Sequence, residues 1–142
     1  MKDLTYIFSI PFFVLKISKR GRVSSLSIER HAGMWLHADN ASVCNAALSA
    51  LVNVSAYVDR NRVSEIASSE LDAIVNAMRN HQSIKSIQQN ALIVLKKLSL
   101  CRANVMVMDQ NPFIVPLINS AKSTCPTLQG RADELLRVLS AT

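Results

Sequence analysis

Apolar residues recur along this chain at the spacing of one face of an α-helix. In Ile87-Gln-Gln-Asn-Ala-Leu-Ile-Val-Leu-Lys-Lys-Leu98 they fall at offsets 0, 4, 5, 8 and 11 from Ile87, which a period of 3.6 places on one side. The same spacing occurs upstream, where Val43, Ala47, Leu48, Leu51 and Val54 take the equivalent places. Downstream, Leu128, Ala132, Leu136 and Leu139 keep four of the five places and Asp133 breaks the fifth. The lead residues stand 44 and 41 positions apart, close to the period of two- and three-helix solenoid repeats. The pattern therefore predicts a stack of helical repeats.

The connecting segments agree in part. At an offset of 42, Val63 maps to Val105, Ile66 to Met108, Leu71 to Phe113 and Val75 to Leu117. Each unit then holds a short helix, a second helix and a long third helix. On Asn61 to Ile66, Leu71 to Met78 and Ile87 to Leu98, the arrangement resembles the armadillo repeat family over roughly residues 40 to 142. The glycine pair that joins the first two helices in that family is replaced by Ser68 and Ser69, and by Asn111 and Pro112 in the next unit. The HEAT arrangement, with two helices per unit, is the competing assignment. The armadillo resemblance implies an all-α fold, a short right-handed superhelical solenoid of armadillo-like three-helix repeats. Residues 23–142 would form this repeat domain, with units near 43–86 and 87–127 and a partial unit at 128–142.

Capping residues set the expected helix limits. Asn40 or Ser42 caps a helix from Val43 to about Ala56, and Asp59 starts the short helix after it. Ser69 with Asp72 resembles a capping box for a helix reaching Asn80 and His81. Ser83 or Ser86 opens the long helix through Leu100, with Lys96 and Lys97 where the macrodipole favours cations. Asn111-Pro112 and Thr124-Cys125-Pro126 read as helix starts. Pro116 falls one turn inside its expected helix and is expected to tilt or kink it. Gly130 weakens the last helix by about 1 kcal/mol relative to alanine.

The amino-terminal part breaks the pattern. Tyr6 to Leu15 is an apolar run interrupted by Pro11 and followed by the basic residues of Lys16 to Arg22. It falls short of the about 20 apolar residues that span a bilayer. Residues 1–22 are thus read either as a cap helix on the first repeat or as a targeting or membrane-surface segment. Lys19 to Arg22 reads more simply as a solvated loop than as a localisation patch. Ser24 to Asp39 is expected to be helical, with Ile28, Ala32, Trp35 and Leu36 on one face and Trp35 as an anchor.

Composition narrows the class further. With 142 residues, 49% apolar, and only three glycines and four prolines, the chain suits a single helical domain better than a sandwich or barrel. The net charge is +6, but residues 37 to 142 hold ten basic and eight acidic groups, too balanced for a nucleic-acid surface. Cys44, Cys101 and Cys125 lie far apart in sequence, which supports neither zinc nor a disulfide framework and points to a reducing compartment, cytoplasmic or nuclear.

Candidate chemistry is sparse. His31, His37 and His81 do not form a His-Glu-x-x-His pair, no serine sits in a Gly-x-Ser-x-Gly turn, and there is no glycine-rich phosphate loop. The expectation is a noncatalytic protein without cofactor, metal or small-molecule substrate. In the resembling family the long third helices line a groove that binds extended peptides or partner domains. Counting 3, 6 and 10 from each lead residue, the implied groove residues are Ala46, Ser49 and Asn53, then Asn90, Ile93 and Lys97, then Arg131, Glu134 and Val138. Members that import nuclear cargo carry tryptophan and asparagine at the last two of these offsets, and only Asn53 matches. The implied function is a protein-interaction scaffold, with Asn53 and Asn90 bonding a ligand backbone and Lys97 and Arg131 pairing with acidic side chains. The plainer reading of each is a solvated polar face. The alternative function is a membrane-surface or targeted protein acting through residues 1–22. Because one repeat cannot bury its apolar face alone, the chain is also expected to self-associate, to be only marginally stable, or to be part of a longer array.

Overall fold

The computed structural model describes residues 6–10, 13–17, 23–27, 39–55 and 68–141. Strands β1 (Tyr6–Ile10), β2 (Phe13–Ile17) and β3 (Val23–Ser27) form an antiparallel sheet in the order β1-β2-β3. Tyr6 pairs with Ile17 and Ile10 with Phe13, and the β2/β3 register shifts between Lys16 and Ile17. This corrects the cap helix expected in residues 1–22 and the helical start expected at Ser24. The physical reason lies in residue type, since aromatic and β-branched side chains crowd a helix but suit a pleated strand. Pro11, which cannot donate to a ladder, falls between β1 and β2.

From Asp39 to Ala141 the described residues are all-α. The helices are α1 (Ala41–Ser55), α2 (Ser68–Asn80), α3 (Lys85–Leu98), α4 (Arg102–Gln110), α5 (Ile114–Thr124) and α6 (Gln129–Ser140), with a short 3-10 turn at Pro126–Leu128 before α6. No helix among the described residues is long and apolar enough to cross a membrane. The expected short helix near Asn61 to Ile66, and Ile28, Ala32, Trp35 and Leu36, lie outside the described residues.

Helix α3 sits at the centre, packed against α1 on one side and α6 on the other, while α2 and α5 touch each other and α3. Its apolar residues Ile87, Ala91, Leu92, Val94, Leu95 and Leu98 are all buried, and the core runs without a break from Leu48 and Leu51 of α1 to Leu135 of α6. Hydrogen bonds between distant segments join residues 38 to 45 positions apart: Asn80 to Asp39, Asn90 to Asn45 and Ser49, Asn111 to Asp72, and Ser120 to Gln82.

Helix ends depart from the expected caps in two places. Asn40 does cap α1, its Oδ1 accepting from the Val43 amide at 3.1 Å. Helix α2, however, begins at Ser68, so Ser69 lies inside it, and the Asp72 carboxylate accepts from Asn111 Nδ2 at 3.0 Å instead. Ser83 and Ser86 do not open α3, which starts after Ile84 with no side-chain cap. Pro116 is the third residue of α5, so its missing N–H is one of the donors any first turn leaves unused. The predicted kink has no cause. In the last helix the buried set is Ala132, Leu135 and Leu139, following Leu128 of the 3-10 turn, with Leu136 only half-buried. Asp133 lies at the edge of this stripe and pairs with Lys122 at 2.6 Å, while Ala132, Leu135 and Leu139 keep the i, i+3, i+7 spacing of one buried face.

Candidate interaction groove

The groove residues come from three helices whose mutual position is set by α3. On the α1 side, Asn90 Nδ2 donates to Ser49 Oγ at 3.0 Å and to Asn45 Oδ1 at 3.3 Å. These bonds hold α3 to α1 through a half-buried polar cluster, so the Asn90 amide group is engaged within the protein. Asn53, two turns along α1 from Asn45, is exposed.

On the α6 side, Ile93 of α3 and Arg131 and Glu134 of α6 meet around one hollow of about 80 Å³, with Leu92 at its floor and Lys96 at its edge. Arg131 and Glu134 are exposed, while Ile93, Lys96 and Lys97 are half-buried. The α3 cation beside the hollow is Lys96, one position from the Lys97 named by counting. Positions three and four residues on from Ile93 flank its direction on opposite sides of the helix, and the hollow opens on the Lys96 side. The expected residues thus divide into a polar pair, Ser49 and Asn90, and a mixed apolar and charged trio, Ile93, Arg131 and Glu134.

Two contributors were not visible from counting alone. Asn45 lies one helical turn before Ser49, and this shared face was its only signal. Lys96 was visible only as a neighbour of Lys97. Two buried amides give α3 its fixed position. Gln88 Nε2 donates to Met78 O at 3.0 Å and His81 O at 2.9 Å, closing the end of α2. Asn104 Nδ2 donates to Leu98 O at 3.0 Å, closing the end of α3 itself. Both satisfy carbonyls that a helix terminus leaves without a partner.

Cys44 and Cys125 are buried and Cys101 half-buried, none of them in a disulfide. Burial, with a further contribution from the Asp39 carboxylate, pushes the Cys44 thiol above its ordinary value. Among the described residues no cluster of His, Cys, Asp and Glu has the arrangement of a metal site. Compared with known proteins, the chain matches no family model, no curated protein and no solved structure.

Proposed function

We propose that this protein is a noncatalytic interaction scaffold that takes an extended, acidic peptide along the surface formed by α1, α3 and α6. The observation that carries this reading is the hollow between α3 and α6, where an apolar floor of Leu92 and Ile93 is bordered by Lys96 and Arg131. A small apolar side chain would fill the hollow, and flanking carboxylates would pair with the two cations. Glu134 at the same rim disfavours a second carboxylate close to it, which gives the groove a polarity. The adjoining α1, α3 and α6 and the hydrogen bonds at near-constant sequence separation support an armadillo-like, right-handed arrangement of three-helix units.

The test is fluorescence anisotropy with labelled extended peptides that place one leucine or valine between aspartates or glutamates. Binding is expected to weaken with salt, and Lys96→Glu or Arg131→Glu is expected to reduce affinity by about tenfold or more. Lys97→Glu is expected to have a smaller effect because its side chain lies off the hollow. Equal affinity of the parent, Lys96→Glu and Arg131→Glu would reject the groove.

A further inference from the structure

A hollow of about 660 Å³ on the side of α6 away from α3 repeats, one layer on, a surface that is covered inside the protein. Its lining includes Val115 of α5 and Asp133, Leu136, Arg137, Leu139 and Ser140 of α6. The α6 residues stand 41 positions after Leu92, Leu95, Lys96, Leu98 and Ser99 of α3, and Val115 stands 42 after Ala73 of α2. In the inner layer these apolar places are closed where α2 and α3 meet α5 and α6: Leu95 and Leu98 are 0% exposed, Leu92 1% and Ala73 5%. In the outer layer Val115 is 43% exposed and Leu136 half-buried.

An open apolar patch does not name its occupant. Here the covered copy does. What lies on α2 and α3 is a pair of amphipathic helices, α5 presenting Ile114, Leu117 and Ile118 and α6 presenting Ala132 and Leu135. The contact of α6 with α3 also fixes a register, because Lys96 of α3 and Glu134 of α6 border one small hollow. Carried forward one layer, Arg137 takes the place of Lys96 and favours an acidic residue on the helix that covers it. Only Leu92 changes character among the α3 apolar places, becoming Asp133, and Lys122 neutralises that carboxylate at 2.6 Å. A second copy of the chain has no matching pair to offer, since its own α5 and α6 are already spent on α2 and α3.

We propose that this end of the helical stack docks a partner protein through an amphipathic helix pair of the α5–α6 kind. The second helix of the pair lies along α6 as α6 lies along α3, its apolar stripe over Val115, Leu136 and Leu139 and an acidic residue opposite Arg137. The inference rests on the packing of layers and not on peptide binding in the groove.

The probe is a labelled synthetic peptide of residues 112–141, which carries the α5–α6 sequence free of its own layer, titrated into the full chain under reducing conditions. Fluorescence anisotropy is expected to show saturable binding, and the circular dichroism of the mixture to exceed the sum of its parts as the peptide becomes helical. Val115→Asp and Leu136→Asp in the full chain, each checked by thermal melting, are expected to weaken binding by about tenfold or more, because each sets a carboxylate against an apolar stripe. Val115 is exposed, so its substitution leaves the fold in place. Arg137→Glu is expected to weaken binding about fivefold, and a peptide carrying Glu134→Arg to restore it. Absence of binding, or binding no tighter than that of a scrambled peptide, overturns the proposal. So does a charge-swapped pair that fails to recover. Affinity unchanged by Val115→Asp and Leu136→Asp would put the peptide on α3 in place of the chain's own α5 and α6, and equally overturns it. A parent chain that dimerises in sedimentation velocity, and that Val115→Asp returns to monomer, would give this face to a second copy instead.

Discussion

At the scale of single residues, the buried polar groups define how this core is held in register. Gln88 is 1% exposed and Asn104 is 0% exposed, yet both amides are spent on carbonyls at helix ends. Burying such groups is tolerated only because they are bonded. Cys44 has the opposite character, a buried thiol that resists ionising. Its raised pKa means that the unfolded chain loses the proton first as pH rises past the ordinary value of 9.0. The contribution of the neutral thiol to stability is therefore complete below that pH and declines above it, until the folded-state pKa is reached. Urea unfolding from pH 7 upward is expected to show a steeper loss of stability above about pH 9 in the parent than in Cys44→Ala. Parallel curves for the two proteins would contradict the burial effect.

At the scale of elements, the helix faces were legible and their exact rotation was not. The α3 face appears in the sequence as it does in the fold, because every position from Ile87 to Leu98 in the periodic set is apolar and buried. In α6 the choice between Leu135 and Leu136 could not be made from spacing, since both fit a helical stripe that begins at Leu128. Packing of α6 on α3 and α5 buries Leu135, which is 0% exposed. Leu135→Ala is expected to cost about 2–5 kcal/mol. Leu136→Ala, at a half-buried site, is expected to cost clearly less, and chemical denaturation of both variants measures the difference. Equal costs would show that the stripe lies midway between them. Pro116 illustrates the same limit, because its effect turns on whether the helix begins at Pro112 or at Ile114. Starting at Ile114 makes it a first-turn proline, with no hydrogen bond to break. Phe113 was paired with Leu71 by offset, yet Leu71 is buried and Phe113 is half-exposed, lying under the Arg79 guanidinium at 4.9 Å. Ile114 takes the buried place instead.

For the whole molecule, the order of packing follows from α3 having neighbours on several sides. It touches α1, α2, α5 and α6, and its apolar face is closed from water throughout. Native-state hydrogen exchange is expected to show the highest protection in the middle of α3, around Leu92 to Leu95, and lower protection in α4. Uniform protection across both would mean that the helices open as one unit and that α3 has no special place.

The sequence by itself determined the helical class of the described residues from Asp39 onward, the three apolar helix faces and the near-regular spacing between them, because helical periodicity is a local property written in side-chain order. The groove was reachable only as a set of positions. Tertiary structure decided the rest: that Asn90 is spent on Ser49 and Asn45, that Lys96 rather than Lys97 borders the hollow, and that Leu135 enters the core. It also decided that the amino-terminal apolar run forms strands, since an apolar segment satisfies helix and sheet patterns alike until a neighbouring strand is there to receive its backbone hydrogen bonds.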